Sequence, residues 1–509
     1  MEIDDLPDLV LEIVFSYLNQ YGDLENVRLV NRRWHRVAST IISILKKSFL
    51  RCNQLIWELH VAENEGDGPI AKRCSHSGCY HDGTKKVYIF GGCTDNYTAF
   101  NDLWSFDLRS HHWCREFIKC APFPRPKAMS IFVPYKEYLI LHGGFAKSSP
   151  NPIHQAANFF SEIHMYDTMT NEWIEVETEP PPPVIASHCA CVVGDSLIIF
   201  GGSQNSRATN TVYVLDITTK IWHIPSFIEN HKDESCGKSD ATSGERFLLK
   251  NPQPNPRYGS SCVVIDKSHL LVIGGCGGPN CIYNDAWLLT FDLTLQTAWE
   301  WKQINITNPK SGPSQLWCHP ACPIGRNLAC ISYARKNNRY GTISLNSCPS
   351  PLEVTSRNPI QLPPRSMNNV TLQPSNTRDN MDHTLNEKLN FSSCQPSFSS
   401  LHAKNNLKYI NGASGAVLGK NWYHKRRLGN ACVYILDTTR VLEDCTVTWR
   451  QQEIDLKAPD DTMLYSLCAG RGELIMFGGM HSDMQGDNPH PFTHTINNDI
   501  YILSPARLV

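Results

Sequence analysis

VYIFGG (Val87–Gly92) is the stretch that decides the fold: four residues that favour extended chain run straight into two glycines. The pattern returns as YLILHGG (Tyr138–Gly144), SLIIFGG (Ser196–Gly202), HLLVIGG (His269–Gly275) and ELIMFGG (Glu473–Gly479). After each comes a second strand-like run: NDLWSFDL (Asn101–Leu108), SEIHMYDT (Ser161–Thr168), NTVYVLDI (Asn210–Ile217), NDAWLLTFDL (Asn284–Leu293) and NDIYIL (Asn498–Leu503). A tryptophan then follows in the first four units, at Trp113, Trp173, Trp222 and either Trp299 or Trp301. Paired glycines at a strand end allow a tight turn and the close approach of a neighbour. A strand unit that recurs every ~50–70 residues is the mark of a propeller blade.

The gap between Gly274 and Gly478 holds one degenerate unit and an insertion. QLWCHPAC (Gln315–Cys322) and NLACISYA (Asn327–Ala334) read as its first two strands, NACVYILDT (Asn430–Thr438) as the third, and Trp449 closes it. That makes six blades. The sixth ends without its own tryptophan, whereas QLIWELH (Gln54–His60) supplies a spare strand with Trp57 in place. A ring left open would expose strand edges, so the first strand is expected to complete the last blade. Between the halves of blade five, residues 335–426 are rich in Ser, Asn and Pro with no sustained period, the composition of a disordered insertion. A smaller polar insert lies between Glu229 and Phe247.

Strand, Gly-Gly, aromatic strand and Trp together resemble the kelch repeat. The resemblance implies that the glycines and tryptophans pack blades and carry no chemistry. It also implies that binding belongs to the loops after each Gly-Gly, namely Cys93–Phe100, Phe145–Phe159, Ser203–Thr209, Cys276–Tyr283 and Met480–Asn497. Arg73, Arg125 and Arg257 each open a blade, and related kelch receptors use arginines there to grip acidic peptides. With Arg207 they form a candidate substrate-binding rim. The alternative is that they cap turns or pair between blades.

The first fifty residues follow another rule. In DDLPDLVLEIVFSYL (Asp4–Leu18), Asp5 and Pro7 stand where a cap and an early-helix proline belong, and apolar residues keep i,i+4 spacing. Val27, Val30, Trp34 and Val37 step by three and four, which reads as a second amphipathic helix. LPDLVLEIVFSYL (Leu6–Leu18) followed by DLENVRLVNRRWHRVA (Asp23–Ala38) resembles the F-box, with Asp8 and Asn31 departing from its usual Glu and Cys. That family binds the Skp adaptor of cullin–RING ubiquitin ligases. Carried over, Leu6, Pro7, Leu9, Ile13, Leu18 and Leu24 form or support the adaptor-facing surface, while Val27, Val30 and Trp34 belong to the module's core.

The expected organisation is an F-box at 1–45, a linker at 46–53, propeller at 54–334, the disordered insertion at 335–426, and the rest of the propeller at 427–509. The fold is therefore mainly β: a six-bladed propeller behind a small α-helical module.

Composition narrows the function. Of 509 residues, 41% are hydrophobic, enough to bury a core, and the net charge of -2 argues against a nucleic-acid surface. No apolar run approaches the ~18 residues that span a bilayer, and the start MEIDDLPD is acidic where a signal peptide is expected to be basic. A cytosolic protein is expected, and the basic triplet Lys425, Arg426, Arg427 leaves nuclear entry open. The 20 cysteines sit mostly among apolar neighbours and read as reduced core thiols. Cys276/Cys281 and Cys318/Cys322 (with His319) are half of a zinc pattern at best. Neither a phosphate loop nor a zinc-protease or nucleophile-elbow motif occurs. No cofactor and no catalysis are expected. The reading is a receptor subunit that joins the Skp adaptor, and through it a cullin–RING scaffold, to a protein substrate. The rivals are a kelch scaffold for actin or another protein, and a propeller oxidoreductase with an axial metal.

Overall fold

The computed structural model describes residues 3–50, 55–60, 69–117, 123–148, 155–228, 252–278, 281–295, 297–313, 316–317, 320–325, 327–333, 431–452, 457–459, 462–483 and 493–506. The 335–426 segment, the 229–247 insert, Gln315, Cys318, His319 and the Lys425–Arg427 triplet lie outside those residues.

Blade 1 is a four-stranded antiparallel meander of Ser77–His81, Lys86–Phe90, Leu103–Asp107 and His112–Arg115. Blade 2 (Ile131–Tyr135 to Glu172–Glu175) and blade 3 (Cys189–Val193 to Ile221–His223) repeat it. Blade 4 (Ser261–Asp266 to Glu300–Ile306) and blade 5 (Ala321–Ile324 to Thr446–Gln451) are joined into one eight-stranded sheet by a parallel step, Asn305 and Ile306 beside Thr446 and Val447. The first strand of blade 5 starts at Ala321, later than the sequence suggested, and Leu316 and Trp317 are buried ahead of it. Blade 6 runs Ser466–Ala469, Leu474–Phe477, Ile500–Pro505 and then Leu55–His60 from the other end of the chain.

Second strands are buried nearly throughout because both faces meet other blades, whereas outer strands alternate, as in Glu172–Glu175 with only Trp173 buried. Each outer-strand tryptophan faces the same site on the third strand: Trp113 opposite Phe106, Trp173 opposite Tyr166, Trp222 opposite Leu215, Trp449 opposite Leu436. In blade 4 that place belongs to Trp301, opposite Leu289, which settles the choice left open with Trp299. Trp299 is an additional, fully buried ring that donates from Nε1 to the Asp292 carbonyl at 3.2 Å.

The paired glycines work between blades. Gly91 and Gly92 have φ of 65° and 87°, and a Cβ on Gly91 would collide with the Lys127 carbonyl of blade 2. Gly92 N–H donates to that same carbonyl at 2.9 Å. Gly144, Gly202, Gly275 and Gly479 donate likewise to Ile185, Arg257, Leu316 and Arg73, so the contact recurs at every junction except that from blade 5, which lacks the paired glycines, to blade 6. Further in, Ser75, Met129, Ser187, Gly259 and Leu464 all adopt left-handed backbone. They are linked in series, with Ser75 N–H donating to Leu464 O, Met129 to Ser75, Ser187 to Met129 and Gly259 to Ser187.

Ahead of the ring stand three helices, α1 (Asp8–Ser16), α2 (Asp23–Val27) and α3 (Arg32–Ser48). Pro7 is the residue before α1, and Asp5 lies in a separate 3-10 turn, so Asp5 is not the cap the sequence suggested. Asn31 caps α3 by accepting from Trp34 N–H at 2.8 Å. The stepping Val27–Val30–Trp34–Val37 crosses from α2 to α3, and α3 runs on past Ala38 and past residue 45. Leu11, Phe15, Leu24, Val37, Ala38, Ile41 and Ile42 form the module's core, each large aliphatic or aromatic side chain contributing roughly 1.5–3 kcal/mol on burial. Arg33 ties the N-terminus down, donating to Asp8 Oδ1 at 2.7 Å and to the Asp4 and Leu6 carbonyls. None of the described helices is long and apolar enough to cross a membrane. Every described cysteine is a free thiol.

Candidate functional site

α1 is apolar nearly all round, and only one side of it is used internally. Leu11 and Phe15 point into the core, while Leu9, Val10, Ile13, Val14 and Tyr17 form a solvent-facing stripe, with Leu9 68% and Tyr17 60% exposed. Their spacing of 1, 3, 1 and 3 places them on one face. Pro7 is exposed beside the stripe, and Leu6 and Leu18 are half-buried against the core. Leu24 is fully buried in the module's core and cannot face an adaptor. Conversely Val30, read as core, is 57% exposed, and its neighbour Leu29 is 84% exposed. An unshared apolar face of this kind marks a protein-binding surface.

The strands carry the loops to opposite ends of the ring. In a meander the turns from first to second and third to fourth strand lie at one end, and the connection from second to third lies at the other. The Gly-Gly loops hold that second end. Several form short hairpins: Phe145–Ala146 with Asn158–Phe159, Ser203–Gln204 with Arg207–Ala208, and Cys276–Gly278 with Cys281–Ile282. Gln155 laces two neighbours together, accepting from Ala99 N–H at 2.9 Å and donating to the Tyr97 and Lys147 carbonyls. Lys147 Nζ lies 4.0 Å from the centre of the Tyr97 ring.

The helical module is seated at the first end. Arg471, in the turn after Ala469, donates to both oxygens of Asp82 at 2.9 and 3.2 Å and to the Gln20 carbonyl at 3.0 Å, and pairs with Glu25. Tyr21 Oη accepts from Arg471 N–H at 3.1 Å and donates to Glu473 at 2.9 Å. Burial, with Glu473 nearby, keeps the Tyr21 phenol protonated well past its usual range. Burial would raise the Asp82 and Glu25 carboxyls, but hydrogen bonds from Arg471 override it and hold both below the ordinary carboxylate range. The helical module and the Gly-Gly loops thus belong to one body and lie on different ends of it.

Residues 3–51 match the family model described as F-box-like, and residues 73–299 match the model described as FBX42, beta-propeller domain. The chain is an F-box/kelch protein resembling F-box only protein 42. Over 305 residues it is 26% identical to Kelch domain-containing protein 1 of Mus musculus, covering 56% of this chain and 66% of that one. The same protein of Homo sapiens is 27% identical over 288 residues, 52% and 62% of the two chains. Acyl-CoA-binding domain-containing protein 5 of Arabidopsis thaliana is 26% identical over 191 residues, 36% and 28%. The chain therefore spans somewhat less than two thirds of the length of the kelch relatives it matches.

Within this F-box/kelch protein the four candidate arginines do not converge. Arg73 is fully buried, with Nη1 and Nη2 on Asp102 at 2.7 and 2.9 Å and a third bond to the Gly91 carbonyl. Arg257 repeats this with Asp285 at 2.6 and 3.0 Å and the Gly274 carbonyl. Both are shut away from solvent with their donors committed, so neither can grip a peptide. The equivalent of these two in blade 2 is buried Lys127, which pairs with Glu162, and not Arg125. Burial, only partly offset by Glu162, lowers the Lys127 ammonium to about 8. Arg125 is more than half exposed and pairs with Glu162 at 2.9 Å. Arg207 is exposed on its hairpin. Of the rim, only Arg125 and Arg207 reach the surface. Cys276 is buried while Cys281 is exposed, and among the described residues no group of three or more His, Cys, Asp or Glu is placed to hold a metal ion.

Proposed function

We propose that this chain is the substrate-recognition subunit of an SCF-type cullin–RING ubiquitin ligase. The α1 stripe docks the Skp adaptor, and the Gly-Gly end of the propeller takes the protein to be modified. The observation that carries the reading is the exposed Leu9–Val10–Ile13–Val14–Tyr17 face on a module whose other side is already spent on its own core and on the ring. The F-box-like match supports the adaptor, and the propeller match supports a protein partner. The chain itself makes and breaks no covalent bond in this scheme. It holds a lysine of the target near a charged ubiquitin carrier, a proximity effect, in the cytosol and, through the basic triplet, the nucleus.

The test is adaptor capture. Leu9→Glu with Ile13→Glu places two charges on exposed positions, so folding is spared. Purified Skp-type adaptor should bind the natural chain and lose at least 100-fold in affinity for the variant. Undiminished binding would remove the docking role from α1. A natural chain that binds no adaptor at all would leave a kelch scaffold without ubiquitin transfer, for actin or another protein.

A further inference from the structure

The turn that seats the F-box is Gly470-Arg471-Gly472-Glu473, between the first two strands of blade 6. A Cβ on Gly470 would overlap Tyr21 Oη, and one on Gly472, whose φ is +85°, would overlap the Leu45 carbonyl. Two glycines thus let the F-box come into direct contact with the ring on both sides of Arg471. Arg471 itself is 4% exposed and divides its donors between the bodies. Gln20 O and Glu25 belong to the F-box, and Asp82 belongs to blade 1. Lys85 of blade 1 adds a weaker link, 3.9 Å from Glu25 and 3.7 Å from Asp82. Tyr21 packs edge-on against Tyr80, ring centres 6.1 Å apart.

A second anchor lies at the end of α3. Phe49 is fully buried in the core of blades 5 and 6, among Ile324, Ile331, Tyr465 and Leu467, and Leu50 lies against Gly325. One anchor would leave the F-box free to swing about it. Two anchors, Phe49 and the Arg471 node, fix its orientation. The centre of the node, Arg471 with Asp82 and Glu25, is ionic and made of groups that could each be hydrated if the contact opened, whereas the Tyr21 ring beside it is buried in the core of blades 1 and 6. That ionic centre is therefore the part whose loss frees rotation without unfolding either body.

We infer that Arg471 is a positioning residue, which locks the F-box at one angle on the propeller so that the docking helix and the Gly-Gly loops keep a constant separation. This rests on the proposed ligase role, because proximity transfer needs that separation fixed.

The experiment is a distance measurement on the full chain. Non-canonical amino acids carry two labels, at exposed Ser43 of α3 and exposed Lys267 of blade 4. The natural chain should give one narrow distance distribution. Arg471→Ala should broaden it at least twofold, with adaptor affinity, measured separately with Skp-type adaptor alone, unchanged within twofold. Glu25→Gln, which removes the charged F-box partner of Arg471 and leaves its bonds to the Gln20 carbonyl and Asp82, should broaden it less, and it serves as the second variant if Arg471→Ala does not fold. Distributions as narrow as the natural one in the folded variants would overturn the inference. Loss of adaptor binding by the natural chain would overturn the ligase reading instead and leave the distance result standing.

Discussion

Trp57 stands opposite Leu503 in the register that sets Trp113 opposite Phe106 in blade 1, although 446 residues of chain separate the first pair. Its ring is 5% exposed and meets Tyr501 edge-on at 6.0 Å. The sixth blade is therefore completed by the strand that follows the F-box, and ring closure depends on it. Trp57→Ala should cost about 3–5 kcal/mol, the usual loss for truncating a buried aromatic. It should also loosen blade 6 first. Hydrogen exchange would show Ile500–Pro505 losing protection before Leu103–Asp107. Equal loss in both strands would mean that the closing strand is no special weak point.

What could be read in advance follows residue type at short range. Gly-Gly and Trp each answer a local demand, a left-handed turn or a pocket on the third strand, and so they are visible as letters. The inner ring of left-handed residues was not visible, because Ser75, Met129, Ser187, Gly259 and Leu464 share a conformation and no chemistry. In the arginine rim Arg73 and Arg257 hold the repeat position but are buried in pairs with Asp102 and Asp285, while Arg125 sits two residues before Lys127, and only the hydrogen bond to the neighbouring Gly-Gly shows which of those two is the repeat position. Leu24 is inside the module's core and Val30 outside it, because which apolar side chain around α2 is covered depends on where α3 packs. Arg471 could not be found, since its partners lie 389 and more than 440 residues away in the chain.

Blade 3 carries a natural experiment on the buried ion pairs. Where blade 4 has Arg257 and Asp285, blade 3 has Ile185 and Thr211: Gly144 N–H donates to the Ile185 carbonyl as Gly202 does to Arg257, and Gly201 to Thr211 as Gly274 does to Asp285. Arg257→Ala alone leaves Asp285 without its cation and should destabilise by about 3–5 kcal/mol. Arg257→Ile with Asp285→Thr, which copies blade 3, should recover more than half of that loss in denaturant unfolding. Arg207→Ala, on an exposed hairpin, should change stability by less than about 0.5 kcal/mol. If the double variant is no better than the single, the ion pair is more than an exchangeable packing unit.

In blade 5, Tyr333 and Ala431 are register partners in adjacent strands, so the chain leaves and re-enters the sheet at neighbouring points. The segment between them need supply no strand to blade 5. Replacing residues 336–428 with a short Gly/Ser loop should leave the melting transition within ~2 °C, since loop length enters stability only logarithmically. A drop of 10 °C or more would show that the segment contributes structure to the ring.

Acid should loosen the ring before it titrates the carboxylates. His76, His142 and His188 are buried between blades, and His142 Nδ1 lies 3.2 Å from His188 Nε2, a contact that two imidazolium rings could not make. Burial lowers His188 to about 3 and, helped by Arg73, His76 to about 3. It takes His142 well below its ordinary value, helped by His188 and Lys127. A folded pKa below the unfolded one means that the unfolded chain binds more protons as pH falls. The stabilisation is then complete above the unfolded value of ~6.5 and declines below it, by up to ~1.4 kcal/mol per pH unit for each histidine. Asp82, Asp102 and Glu162 are lowered too, but their loss begins only near the unfolded carboxylate range of ~4. The window from pH 6.5 to 4.5 therefore belongs to the histidines. Melting temperatures measured across it should fall steadily for the natural chain. His188→Gln keeps a hydrogen-bonding group toward His142 and removes one titration, so its slope should be visibly shallower. A slope unchanged in that variant would place the acid sensitivity elsewhere.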